Sequence, residues 1–390
     1  MNVAVMPEGA VPFSFQDYLM DEIRTRRFER PTLVLSREAV RYQYRALSSG
    51  LGRAHIHYAV KANPQREVLE TLVSEGSRFD AASRGEIELC LSLGAKPEHI
   101  SFGNTIKRAT DIAFAHSVGI KLFAVDAEAE LEKIAAHAPQ ARVYIRLLVG
   151  ATGADWPLSR KFGCTPSMAL PLMERAVELG LKPVGLSFHV GSQTRTAHMW
   201  RDTLDQVAAV WRDAQDAGFG LSLINIGGGF PAAYEYEVEA PNAYAAQVMD
   251  MVNDRFADAT YVMAEPGRGM VAEAGVIAAE VLLVSRKSDD DLHRWVYLDI
   301  GKFSGLAETM DEAIRYSFVT DKDHQDMTPC IVAGPSCDSA DVLYEKRPVL
   351  LPNGLAAGDK VMIKSCGAYT TTYSSVCFNG FPPLDVLVLL

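Results

Sequence analysis

Cysteine is sparse in this chain and carries no pattern. The six, at positions 90, 164, 330, 337, 366 and 377, form no CxxC pair and have no histidine at metal-ligand spacing. Neither a metal site nor a disulfide framework is therefore expected, and a reducing cytoplasm fits best. Positive charge is short as well: 38 Lys and Arg against 49 Asp and Glu leave a formal charge of -11, with the acids scattered. Nucleic acids are bound by clustered cations, so this balance excludes them as partners, whereas small cationic substrates would be attracted. Apolar runs are no longer than a strand, and the start of the chain lacks a basic region followed by an apolar core. Neither a membrane span nor a signal peptide is expected. What the chain does have is length: 390 residues exceed the size at which single cores usually stop growing, which predicts one large or two medium domains.

The richest local signal is Ala54-His55-Ile56-His57-Tyr58-Ala59-Val60-Lys61-Ala62-Asn63-Pro64. A strand-like run that ends on one ammonium group and is stopped by Asn-Pro presents that amine as a nucleophile able to hold an aldehyde covalently. Taken alone, Lys61 could equally end a surface strand. Further strand patterns begin near 78, 100, 122, 143, 184, 223 and 261, making eight with the first. Helical patterns alternate with them. One starts at Thr165-Pro166 and stops at Gly180; another carries the stripe Trp200, Leu204, Val207, Trp211 and stops at Gly218. Eight such units over roughly 220 residues predict a (β/α)8 TIM-type barrel, with a doubly wound open sheet as the competing α/β arrangement.

The chemically loaded residues fall at corresponding places on those strands. Lys61, Asp80, Asn104, Asp126, His189, the turn Gly227-Gly228-Gly229 and Glu265 sit at strand ends, and Arg146 lies within the fifth strand. In a barrel this gathers them on one rim, where active sites are built. The three glycines permit a tight turn and close approach of amides to a phosphate, although no Walker or dinucleotide spacing accompanies them. In Glu265-Pro266-Gly267-Arg268 a guanidinium can meet the same phosphate while the carboxylate faces a ring nitrogen. In His189-Val190-Gly191-Ser192 an imidazole can stack on a flat ring and a hydroxyl can help the phosphate. A lysine for an aldehyde, an acid for a pyridinium, a stacking ring and a phosphate cup together specify pyridoxal 5'-phosphate.

At this point the chain resembles the ornithine/diaminopimelate/arginine decarboxylase group of fold type III pyridoxal-phosphate enzymes. The likeness runs through YAVKANP, RFDAAS, FGNTIK, HVGSQ, GGGFP, EPGR, GPSCDSAD, GAYT and FNGF. It implies an alanine-racemase-like barrel over 37-274, a C-terminal antiparallel β domain over 275-390, and a segment 1-36 that joins the latter. It further implies that Lys61 binds the cofactor aldehyde, Glu265 meets the pyridine nitrogen and His189 stacks on the ring. Ser192, Gly227 to Gly229, Arg268 and Tyr369 become phosphate contacts, with Asp80 and Arg146 near the phenolic side and the lysine.

After residue 270 the pattern changes to short strands, such as Val276 to Val284, Trp295 to Asp299, Cys330 to Ala333, Lys360 to Ile363 and Leu384 to Leu390, separated by Gly, Pro and Asp turns. In Gly334-Pro335-Ser336-Cys337-Asp338 the resemblance makes Cys337 the group that helps protonate the carbon losing its carboxylate. It makes Asp338 the ligand of the substrate's distal amine, reaching across a homodimer interface. Diaminopimelate decarboxylases tend to carry glutamate after this cysteine; aspartate points to a simple ω-amine. Glu312, in Met310-Asp311-Glu312, falls roughly where the family places a second amine ligand, Phe303 stands where many relatives have tyrosine, and Tyr369 borders the substrate. The activity implied is decarboxylation of L-ornithine to putrescine, a polyamine precursor, with L-lysine to cadaverine as a second reaction. Diaminopimelate decarboxylation and amino-acid racemisation are the alternatives.

Overall fold

The computed structural model describes residues 14-150, the backbone of 154-156, and residues 161-390. Eight parallel strands close into a barrel: β1 His55–Ala59, β2 Arg78–Ala81, β3 Ile100–Phe102, β4 Leu122–Val125, β5 Arg142–Arg146, β6 Lys182–Ser187, β7 Leu223–Asn225 and β8 Tyr261–Ala264. β8 pairs with β1, which closes the ring. The open-sheet alternative is thereby excluded.

The strands are buried on both faces because helices cover the outside and side chains fill the inside. Leu122, Ala124, Tyr144, Leu223 and Met263 form a separate apolar cluster within the ring, while the outward residues join the main core beneath the helices. Local chemistry fixes the helix ends. Ser83 Oγ accepts the Glu86 N–H at 3.3 Å to open Arg84–Ser92, and Ser36 Oγ accepts the Ala39 N–H at 3.2 Å to open Arg37–Leu51. The helix expected to start at Thr165-Pro166 spans Pro166–Glu178, with Gly180 in the left-handed region just beyond. Trp200 ends a short 3-10 turn, and Leu204, Val207 and Trp211 form the buried face of Arg201–Asp216.

A second sheet of eight strands follows the order Phe318–Thr320, Lys360–Ile363, Gly275–Ser285, Arg294–Leu298, Met327–Ala333, Val342–Pro352, with Thr32–Ser36 and Asp385–Leu389 attached off this path. Thr32–Ser36 pairs antiparallel with Gly275–Ser285 and parallel with Asp385–Leu389. Arg294–Leu298 and Met327–Ala333 also run parallel. The sheet is thus mixed rather than wholly antiparallel: the first parallel pair joins distant parts of the chain, and the second needs the crossover through 299-326.

The two units are sewn together beside Lys61. Asn63 Nδ2 donates to the Gly367 carbonyl at 2.7 Å, and the Tyr369 N–H donates to the Ala62 carbonyl at 2.8 Å. A loop of the second sheet thus becomes part of the barrel's rim.

Candidate active site

β1 ends at Ala59, and Lys61 lies in the single 3-10 turn Val60–Ala62 that follows it. The Asn63 side chain fixes this turn, its Oδ1 accepting the Gln65 N–H at 3.0 Å, while the Tyr58 hydroxyl donates to the Asn63 carbonyl at 3.0 Å. Lys61 projects into a cavity of about 220 Å³ bordered by Asp80, His189, Ser192, Gly228, Gly229, Glu265, Arg268, Glu308, Tyr369 and Tyr373 among others. The amine is open to solvent within that cavity, yet protein surrounds it. Burial opposes its charge, but the neighbouring Tyr369, Asp80 and Glu265 outweigh burial and hold its pKa above the ordinary lysine value.

The two carboxylates differ in their support. Burial, and then the charge of Glu265, push Asp80 well above the usual aspartate range. Burial also raises Glu265, but the Asn225 amide donates to its Oε1 at 2.5 Å, and Arg146 and Lys61 further favour the anion. Asn225 ends β7, and its Oδ1 also accepts the Gly227 N–H at 2.9 Å, so one side chain shapes the glycine turn and steadies the acid. Gly103 leaves the Asp80 carboxyl its place: a Cβ there would stand 1.8 Å from Asp80 Oδ1 and force that side chain to move.

His189 follows β6. Its Nδ1 accepts the Gly191 N–H at 2.9 Å, which leaves the ring proton on Nε2. Burial, with the charges of Arg146 and Lys61, lowers its pKa well below the usual value, so the ring is neutral. A Cβ on Gly228 would come within 3.0 Å of Nε2, so this glycine leaves the ring room beside the cavity. At the other end the Arg268 guanidinium donates to Ser192 Oγ at 3.1 and 3.2 Å, and the Tyr369 ring lies 5.0 Å from its carbon. An amine, a ring-facing acid supported by an amide, a neutral flat imidazole and a cationic cup with backbone amides are the groups pyridoxal phosphate requires.

Tyr373 is one cavity residue that sequence reasoning missed, and Glu308 is another. It forms a bidentate pair with Arg268 at 2.6 and 2.8 Å, both side chains almost wholly buried. Glu312, four residues on, is not among the cavity's lining residues. Its oxygens accept the N–H groups of Glu345, Lys346 and Arg347 and pair with Arg315 at 2.8 Å, leaving no acceptor turned to a substrate amine. The physical reason is a kink: Asp311 and Glu312 both adopt left-handed φ, +54° and +59°, which turns the chain away. Only an interruption of the 3-10 pattern, invisible in residue type, separates these two acids.

Cys337, Asp338 and Phe303 also lie outside this cavity. Cys337 and Asp338 are exposed, and the Cys337 N–H donates to Asn379 Oδ1 at 3.2 Å. Asp341, unmarked in the sequence reading except within its motif, holds this loop by accepting the Lys302 and Ser336 N–H groups at 2.7 and 3.1 Å. Phe303 packs on Phe378, ring centres 4.8 Å apart. The remaining rim residues brace loops: Asp126 accepts the Gly163 N–H at 2.7 Å, and Asn104 donates to the Ala82 carbonyl at 3.3 Å. Among the described residues, no group of three His, Cys, Asp or Glu side chains is arranged to hold a metal ion, and no helix is long and apolar enough to cross a membrane.

Barrel, sheet and cavity define an enzyme of the type built around pyridoxal phosphate. The family described as pyridoxal-dependent decarboxylase, pyridoxal binding domain, matches residues 37-272, and the chain belongs to it. The lysine/ornithine decarboxylase of Selenomonas ruminantium is 33% identical over 366 residues, covering 92% of this chain and 90% of its own. The Vibrio vulnificus lysine/ornithine decarboxylase, solved with cadaverine, superposes with a TM-score of 0.85 at 34% identity over 97% of this chain and 99% of its own. The arginine decarboxylase of Paramecium bursaria Chlorella virus reaches a TM-score of 0.85 at 26% identity, covering 96% and 100%.

Proposed function

We propose that this chain removes the α-carboxylate of L-ornithine, giving putrescine, and of L-lysine, giving cadaverine. The observation that carries the reading is the convergence of Lys61, Glu265, His189, Ser192, Arg268 and Tyr369 on one cavity. The Asp338 carboxylate after Cys337, suited to a simple distal ammonium, and the relatives that act on lysine and ornithine support the choice of substrate.

Bound in this cavity, pyridoxal phosphate supplies the electron sink for the pair released with carbon dioxide. The protein's part is to hold and orient. Ser192, Arg268 and the Gly227 to Gly229 turn would anchor the phosphate, with Tyr369 beside them. His189 would stack on the ring and hold it in place, and Glu265, steadied by Asn225 and Arg146, would keep a proton on the ring nitrogen. Lys61 Nζ would be the group that holds the cofactor's aldehyde carbon, with Asp80 beside it placed to exchange a proton with that amine.

Cys337 and Asp338 complete the site of a second copy of the chain, Cys337 Sγ returning a proton to the reacting carbon. Their exposure on one protomer supports this, as does a neighbouring apolar face on which Val376 is 87% exposed. Six free cysteines fit a cytoplasmic enzyme.

The deciding experiment measures carbon dioxide release with pyridoxal phosphate and, separately, L-ornithine, L-lysine, L-arginine and meso-diaminopimelate. Release from ornithine and lysine is expected. Release only from diaminopimelate would refute the reading of Asp338, and no release from any of the four would refute the decarboxylase assignment.

A further inference from the structure

The end of the barrel opposite Lys61 holds a cavity of about 390 Å³, larger than the one around the lysine. In barrel enzymes this end is ordinarily closed by short loops that serve stability. Here Arg78, Lys121 and Arg142, at or just before the starts of β2, β4 and β5, face the cavity, and Glu98 is the only acid among its lining residues. The chain as a whole carries a charge of -11, so this mouth runs against the field of the molecule. The Arg78 guanidinium donates to the Tyr261 hydroxyl at 2.5 Å, whereas no salt bridge or hydrogen bond occupies the side chains of Lys121 and Arg142 among the described residues.

Three imidazoles register the excess charge. His55, His57 and His99 all have lowered pKa values, each through burial first and the Arg78 charge next. One of them leads inward. His57 Nε2 lies 3.0 Å from the Tyr261 hydroxyl, its Nδ1 lies 3.3 Å from Ser101 Oγ, and that hydroxyl lies 3.5 Å from Asp80 Oδ1. His57, Ser101 and Asp80 are buried. A polar line therefore threads the barrel from this mouth to the carboxyl beside Lys61, where apolar packing would be the ordinary solution.

We propose that the cavity at the amino-terminal mouth of the barrel binds a phosphorylated small molecule through Arg78, Lys121 and Arg142, and that Tyr261, His57 and Ser101 relay its presence to Asp80. Guanidinium and ammonium groups on separate strands suit an oxyanion with several acceptors. The volume exceeds what a bare phosphate fills and matches the lower range of small-molecule sites. Inorganic phosphate and a nucleoside diphosphate share the recognised group and differ in how much of the cavity they fill.

The test uses the holoenzyme, whose own phosphate cup is filled by the cofactor, and titrates it calorimetrically with inorganic phosphate, pyrophosphate and adenosine diphosphate in chloride buffer. Saturable binding of one molecule per chain is expected for at least one probe, and loss of two charged contacts in the Lys121→Ala, Arg142→Ala double variant should weaken it about tenfold or more. A larger organic phosphate is the occupant if adenosine diphosphate binds tightest, and a bare oxyanion if all three bind alike. No binding of any probe, or equal binding by the variant, would overturn the site. An independent check needs no variant: the probe should raise the NMR-detected pKa of His55, His57 and His99, and unmoved values would also overturn it. Binding is measured without turnover, so failure here is distinguishable from failure of the decarboxylase reading on which the relay rests. Ser101→Ala should keep the binding and lose the probe's effect on turnover; a parent whose turnover ignores the probe, or a Ser101→Ala enzyme that responds like the parent, would overturn the relay.

Discussion

Arg268 is committed before any phosphate arrives. Its nitrogens donate to Ser192, Tyr234 and both oxygens of Glu308, and the cation is almost fully buried. Glu308→Gln leaves that charge without its counterion, at a cost of about 3–5 kcal/mol to the apoprotein. A cofactor phosphate would restore neutrality, so the melting temperature gained on adding pyridoxal phosphate should be larger in this variant than in the parent. An equal or smaller gain would mean that the phosphate does not take over the guanidinium. A second residue gives a pH signature. Burial pushes Asp299 up to about 6, although it accepts the Glu280 N–H at 2.8 Å. Between the ordinary aspartate value and about 6 the folded state binds the extra proton, so its stabilising effect is complete below that window and is lost as pH rises through it. Asp299→Asn should flatten the urea-unfolding stability profile between about pH 4 and 6, and an unchanged slope there would contradict the assignment. Residue types told much at this scale: Lys61, Glu265, His189 and Arg268 were marked by their motifs. Residue types could not choose Glu308 over Glu312, because two left-handed φ angles decide which acid faces inward.

At the scale of elements, the parallel strands aim successive loops at one rim, and close packing between loops fixes where the carboxylates stand. Gly103→Ala tests this. The added methyl collides with Asp80 Oδ1, so the carboxyl must swing away, while the chain there needs no positive φ. Turnover should fall by roughly tenfold or more, the scale of a misplaced catalytic group, with circular dichroism unchanged. Full turnover in the variant would show that Asp80 is free to move without consequence. The barrel strands were legible because each is a short apolar run between helical patterns. Two strands of the second sheet, Phe318–Thr320 and Val342–Pro352, are not marked by such runs. The first has only three residues, and Glu345-Lys346-Arg347-Pro348 interrupts the second with exposed charges and a proline. Partnership with neighbouring strands, rather than intrinsic preference, holds them.

For the whole molecule, the proposed shared site makes a quantitative demand. Lys61→Ala lacks the cofactor lysine, and Cys337→Ala lacks a residue lent to the partner. Each alone should be nearly inactive. Mixed and allowed to exchange subunits, they should recover about a quarter of parental turnover, since half the dimers are mixed and each mixed dimer holds one intact site. No recovery, with exchange verified by mass spectrometry, would place both residues in the same site and remove the argument for sharing. Sequence patterns carry no information about which loops of one copy meet the cavity of another. Only the resemblance carried by GPSCDSAD implied that this loop reaches a partner, and the exposure of Cys337 and Asp338 outside their own chain's cavity is consistent with that.

Thr32–Ser36 lies beside Asp385–Leu389, and Arg30 and Asp385, 355 residues apart, form an ion pair at 2.6 Å. A ribosome makes one member of this strand pair long before the other. The earlier strand therefore waits as an open edge while the barrel is being translated, and the loop that brings Tyr369 to Lys61 is likewise made late. An unfinished chain thus carries the nucleophilic lysine without the phenol that borders it, and the reactive cofactor gains its full enclosure only once translation has passed the second sheet.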